Sequence, residues 1–221
     1  MKFIYFINLD DFLVTLNFGK TGMISSPSIA NLFTYKSLHP IYNLDIDELM
    51  KNPHSYSGFS SPRMSNIAIT SMSKNGFRLQ YGIKNPKPIS EAQIIKSELI
   101  ANIEIEFEKI RREISPNSPS RLIAIYLAED SYEGRTMLKN MFNKKNNFKI
   151  APVKITCNLL FHKADSKWIT EYEKTGNKIA IKKYWQGIPF DKNPEFEYLL
   201  EGTIELKNEI DKSELKNKYG S

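Results

Sequence analysis

The chain has 221 residues, 41% hydrophobic, 12% aromatic and 25% charged, a composition that supports one buried core and excludes a disordered polyampholyte. Lysine and arginine number 31 against 25 acidic residues, and the resulting charge of +6 is compatible with a nucleic-acid partner without demanding one. No apolar run approaches the roughly 18–20 residues of a membrane span. Cys157 is the single cysteine and the three histidines form no Cys/His cluster, which argues against an internal disulfide and a structural zinc site. A cytoplasmic, metal-independent protein is the expectation.

The opening segment, Lys2 to Leu9, is apolar only briefly and then turns acidic, so it reads as a first strand rather than a signal peptide. Phe12–Phe18 alternates loosely and suits a second strand. Residues 25–88 are broken by Pro27, Pro40, Pro53, Pro62, Pro86 and Pro88, and form a loop-rich, partly helical insertion region. Within it, Asp45–Met50 reads as a helical turn and Ser65–Met72 as a strand. The clearest element is a helix from Ser90 to Ile114. Ser90 and Gln93 stand in capping-box spacing, and Arg111 and Arg112 lie in the last turn, where they complement the dipole. Ala92, Ile95, Leu99, Ile103, Phe107, Ile110 and Ile114 follow at helical steps and predict a core-facing stripe.

Ser120–Ala128 suits a buried strand. Asp130 and Glu133 then form a second capping box, opening a helix that buries Met137, Leu138, Met141 and Phe142. Phe148–Leu160 reads as a strand with Val153, Ile155 and Cys157 on one face, so Cys157 is expected to be a small buried hydrophobe. Short helices are predicted over Asp165–Tyr172 and Lys178–Trp185. Closing strands follow at Glu197–Leu200 and Thr203–Leu206, broken at Gly202, and Glu209–Lys218 is charged and solvated. No internal repeat or linker divides the chain, so residues 1–221 form one α+β domain.

The common catalytic signatures are absent. Gly19-Lys-Thr-Gly22 is too short for a phosphate loop, and neither Gly-x-Gly-x-x-Gly nor Gly-x-Ser-x-Gly occurs. His39, His54 and His162 fall in or beside loop-like sequence and are expected at the surface. The segment with most chemical content is Pro194-Glu-Phe-Glu-Tyr-Leu-Leu-Glu-Gly-Thr-Ile-Glu-Leu206. Strand alternation puts Glu195 and Glu197 on one side, either as an exposed charged rim or as a paired acidic site.

This Glu-x-Glu segment, with its two leucines, Gly202 and Thr203, resembles the closing motif of ADP-ribosyltransferases. Ser118-Pro-Ser120-Arg-Leu-Ile-Ala-Ile-Tyr126 is similar to the serine-bearing strand of that superfamily, and Lys182-Lys-Tyr-Trp-Gln-Gly187 is similar to a stretch in bacterial proteins assigned to the fold. The resemblance covers roughly Ser118 to Leu206. It implies a split, mixed β-sheet core with flanking helices, NAD as substrate and no metal. Cleaving the nicotinamide–ribose bond builds positive charge on the sugar, and a carboxylate near the ribose stabilises that charge where it develops.

By the resemblance, Glu197 is that carboxylate and Glu195 activates or orients the acceptor. Ser120 would orient Glu197, with Ser118 as a second candidate, and Tyr126 would stack on nicotinamide. The superfamily carries Arg or His on its first strand, whereas Ile4–Leu9 offers only Asn8. Asn8 would then contact the adenosine side, or Arg63, Arg78 or Arg121 would grip NAD from elsewhere. The implied setting is an intracellular toxin with an antitoxin partner, modifying RNA or other nucleic acid in preference to protein. The alternative is a non-catalytic nucleic-acid- or protein-binding domain with a degenerate transferase fold.

Overall fold

The computed structural model describes residues 1–37, 39–51, 61–81, 87–141 and 147–220. Strand β1 (Phe3–Asn8) occupies the apolar opening run. The next ten residues form helix α1 (Phe12–Thr21), not the expected strand. Asp11 starts it by accepting hydrogen bonds from the Leu13 and Val14 backbone, and Gly22 ends it at φ 68°. An N-cap carboxylate and a left-handed C-terminal glycine outweigh weak alternation. Strand β2 (Met23–Ser25) and helix α2 (Pro27–Tyr35) follow.

Residues 25–88 are mainly helical where described, with α2, α3 (Glu48–Lys51) and α4 (Pro62–Lys74). Helix α4 replaces the strand expected at Ser65–Met72. Ser61 caps it through Met64 N, and Pro62 sits in its first turn, where a missing backbone donor costs nothing. A two-stranded ribbon, β3 (Gln80–Tyr81) with β4 (Lys87–Pro88), leads into helix α5 (Glu91–Ile114). The α5 capping box forms as expected: Ser90 Oγ accepts from Gln93 N, and Gln93 Oε1 accepts from Ser90 N.

Residues Ser120–Ile123 turn before β5 (Ile125–Glu129) begins, so the strand is shorter than its apolar run. Helix α6 (Tyr132–Met141) takes its cap from Ser131, whose Oγ accepts from Gly134 N, while Asp130 pairs with Arg135. It buries Met137 and Leu138 but leaves Met141 36% exposed; Phe142, like Pro53, His54 and Pro86, lies outside the described residues. Strand β6 (Phe148–Asp165) is followed by α7 (Lys167–Thr175), α8 (Lys178–Trp185), β7 (Phe196–Leu206) and α9 (Glu209–Tyr219). The two helices carry Trp168 and Trp185 into the core.

The described residues form one mixed α/β domain around a five-stranded antiparallel sheet of order β2-β7-β5-β1-β6, and β6 also pairs with β7. The pairings β7–β5–β1–β6–β7 therefore return to their start and enclose Ile7, Leu127, Val153, Leu200, Ile204 and Leu206. Strand β7 runs unbroken through Gly202, where an added Cβ would lie 2.1 Å from the Cys157 carbonyl oxygen. Glycine therefore permits a close approach here instead of ending the strand. Register shifts flank the same place on β6, and Cys157 is exposed there rather than buried. Helices α3, α4 and α5 enclose a second core around Ile41, Met64, Ile67 and Ile105. Among the described residues no helix is long and apolar enough to cross a membrane.

Candidate functional site

Helix α5 and strand β7 face each other through carboxylates. Glu104 and Glu108 are one helical turn apart on α5, and Glu197 and Glu201 are an even number apart on β7, so each pair shares a side. All four are buried. They tolerate burial because arginines, hydroxyls and a backbone amide arrive between the two elements, since an unpaired buried charge costs several kcal/mol.

Arg121, from the turn before β5, is the hub. Its Nε and Nη2 donate to the two oxygens of Glu104 at 3.0 Å, and its Nη1 reaches Glu197 Oε1 and the Tyr184 hydroxyl at 2.5 Å. Tyr184 also donates to Glu197 Oε1 at 2.5 Å, while Glu197 Oε2 is buried without a hydrogen-bond partner among the described residues. Arg63 adds a second guanidinium on Glu104 at 2.7 Å and lies 3.6 Å over the Tyr126 ring. Next along α5, Glu108 accepts from Arg111, Arg112 and Ser120 Oγ at 2.7–3.0 Å. Arg111 also holds the carbonyls of Pro116 and Ser118, so this cluster fixes the loop after α5. Glu201 accepts from Ser28 Oγ, the Tyr42 hydroxyl and Ser120 N, tying the outer helical layer to the sheet.

Burial alone would raise the Glu104 carboxyl, but the adjoining Arg121 and Arg63 outweigh it and hold Glu104 from the ordinary 4.5 down to about 2. A carboxyl depressed on folding stabilises the native state above its unfolded pKa and loses that contribution as pH falls through the folded value. Urea denaturation at successive pH values is therefore expected to show stability falling from about pH 4.5 towards pH 2, with Glu104 supplying roughly 3 kcal/mol of the loss.

Glu201 moves the other way. Burial raises its pKa, partly offset by the hydrogen bonds from Ser28, Tyr42 and Ser120 N. Its ionised form therefore stabilises less than its neutral form, and Glu201→Gln is expected to lower the urea-derived stability at pH 7 by less than Glu104→Ala does. Burial also lowers His162, whose ring lies between Ser118 Oγ and the Tyr184 carbonyl at 3.3 Å each. His39 is 4% exposed, against the expectation of a surface histidine.

The expected site residues divide. Glu197 and Arg121 meet directly. Ser120 is one residue from Arg121 but donates to Glu108, so the expected Ser120–Glu197 bond is replaced by contacts from Arg121 and Tyr184. Tyr126 is tied to the same cluster, its hydroxyl donating to the Arg121 carbonyl and one ring face covered by Arg63. Glu195 is exposed, beside a polar hollow of about 290 Å³ with Lys167, Lys174 and Asp191. Thus Glu195 and Glu197 are not a side-by-side pair: one faces solvent, the other the core. Asn8 pairs with Phe148 at the start of β6, whereas Glu197 pairs with Ala164 near its end, so Asn8 is remote from the cluster. Arg78 is exposed in the segment after α4.

Glu104, Glu108, Arg111, Tyr184, Tyr42 and Glu201 were not singled out as site residues by sequence reasoning. The available signal was the one-turn spacing of Glu104 and Glu108, but Glu106 and Lys109 in the same stretch masked it. Among the described residues, no group of three His, Cys, Asp or Glu side chains is arranged to hold a metal ion.

No curated protein matches the chain. The family model described as "Protein of unknown function (DUF2441)" matches residues 35–212. That span takes in every member of the buried polar clusters except Ser28. Because the match covers most of the sequence, the chain belongs to this family.

Proposed function

We propose that the chain is an NAD-dependent mono-ADP-ribosyltransferase with a macromolecular acceptor, RNA or other nucleic acid ahead of protein, acting as an intracellular toxin with an antitoxin partner. The observation that supports the activity is the state of Glu197. One of its oxygens is held by Arg121 and Tyr184, and the other is buried with no hydrogen-bond partner among the described residues. A carboxylate fixed in this way is preorganised to stabilise positive charge growing on a ribose, provided the site opens to admit the sugar. NAD supplies the scissile bond between nicotinamide and ribose C1′. The bond to nicotinamide breaks, the acceptor nucleophile bonds to C1′, and the acceptor proton leaves to a base. Glu195, exposed at the start of the same segment, is the residue that the resemblance implies for activating or orienting the acceptor.

The test is labelling of a cell lysate with tagged NAD by the wild-type chain and by Glu197→Gln, followed by nuclease or protease digestion. Label that requires Glu197 and is removed by nuclease supports a nucleic-acid acceptor, and label removed by protease transfers the acceptor to protein. Equal signal from both forms rejects the enzyme. A second reading is favoured by the 1% exposure of Glu197 and its ion pair with Arg121. In it the polar layer is structural, the chain is a binding module, and its lysines contact nucleic-acid phosphates. Under that reading, nucleic-acid binding survives Glu197→Gln and falls with added salt.

A further inference from the structure

The N-terminal half of α5 contradicts its own apolar pattern. The stripe expected to face the core is buried at Phe107 and Ile110, but Ile95 and Leu99 are 52% and 61% exposed. Instead, this half is anchored through Ser97 and Ala101. Beside the exposed residues is a groove of about 560 Å³, formed by Leu99, Ile100 and Ile103 of α5 with Tyr172 of α7 across from them. The surface thus carries both a projecting side chain, Leu99, and a hollow able to receive one. A two-fold interface requires this combination of a patch with itself.

The charges along the groove select the orientation. Lys96, Leu99, Ile103 and Glu106 recur at steps of three, four and three, the spacing of a helix–helix seam. They are also symmetric about Ala101: Lys96 mirrors Glu106, Leu99 mirrors Ile103, and Ile100 mirrors Asn102. An antiparallel second α5 therefore sets Lys96 against Glu106 and Leu99 against Ile103, twice over. A parallel copy sets lysine against lysine and glutamate against glutamate, which repels. Glu106 already has Lys178 at 2.6 Å and Lys109 at 3.7 Å. These are partly exposed pairs worth little in water, and Lys96 of the second copy would join them on the Oε1 side, where Lys109 is 3.7 Å away.

We propose that this face docks against a second copy of the chain, α5 on α5, antiparallel about a two-fold axis at the level of Ala101. The proposal is independent of the catalytic reading. Sedimentation velocity of the full chain over a concentration series is expected to show a monomer–dimer equilibrium. Leu99→Glu, a change at an exposed position, is expected to leave circular dichroism and thermal midpoint unchanged. It should also raise the dimer dissociation constant by roughly 30-fold or more, as for loss of a central interface anchor. Lys96→Glu alone and Glu106→Lys alone each place like charges across the axis and are expected to be monomeric. Mixed in equal amounts, they are expected to recover a heterodimer. A wild-type chain that stays monomeric throughout, including one that instead binds an unrelated protein on this face, overturns the proposal. So does a dimer that Leu99→Glu and the charge variants leave intact.

Discussion

Glu104→Ala is expected to destabilise the fold by roughly 3–5 kcal/mol, the cost typical of stripping one partner from a buried ion pair. The reason lies with the residues left behind. Glu104 accepts from both Arg121 and Arg63, and Arg121 is 2% exposed. Removing the carboxylate leaves two guanidiniums facing the single charge of Glu197. Urea denaturation measures the loss. A companion Arg63→Met separates the contributions, because Arg63 is half-buried and its loss leaves Arg121 with both carboxylates. The effect of Glu104→Ala is therefore expected to exceed that of Arg63→Met, and the reverse order would show that Arg121 is not the hub.

On the proposed activity, Glu197→Gln is expected to lower ADP-ribosyl transfer by about 10²–10³-fold, in the range seen when a preorganised electrostatic group is removed from a transition state. Stability is expected to fall by less than in Glu104→Ala, because Arg121 keeps Glu104 and the glutamine oxygen. Glutamine keeps an oxygen for Arg121 and Tyr184 and nearly the same volume, and Arg121 retains Glu104. The negative charge is lost, and an amide NH2 takes the place of the unpartnered Oε2. Initial rates with tagged NAD, set beside urea midpoints, distinguish the outcomes: a large rate loss at constant stability identifies a catalytic carboxylate, whereas loss of both identifies a structural one.

Local chemistry was legible where it was self-contained. The Ser90–Gln93 capping box, the span of α5, the apolar run of β1 and the boundaries of α8 depend on neighbours in sequence, and the structure agrees with each. Where a partner comes from afar, the reading fails. Glu104, Glu108 and Arg111 look like the solvated face of an amphipathic helix, yet Arg121, Arg63 and Ser120 draw them inward. The C-terminal half of α5 buries Glu104, Glu108 and Arg111 together with Phe107 and Ile110, whereas its N-terminal half buries Ser97 and Ala101 and leaves Ile95 and Leu99 exposed. Cys157 was misplaced for a related reason, because the β6 irregularities break the alternation on which its burial was inferred. Within the candidate site, Glu197 and Arg121 were both identified, but their contact joins residues far apart in the chain. No spacing rule contains it.

The family match begins at residue 35, but the sheet does not. Strand β1 lies between β5 and β6 and contributes Ile4 and Ile7, neither of them accessible to solvent. Cutting the chain at the family boundary would remove a central strand rather than a tail. Two strand edges with unpaired amides and carbonyls would be bared at once, an invitation to pair with other chains. The matched stretch thus leaves out a strand of the central sheet, and residues 1–34 contribute to the core that residues 35–212 build.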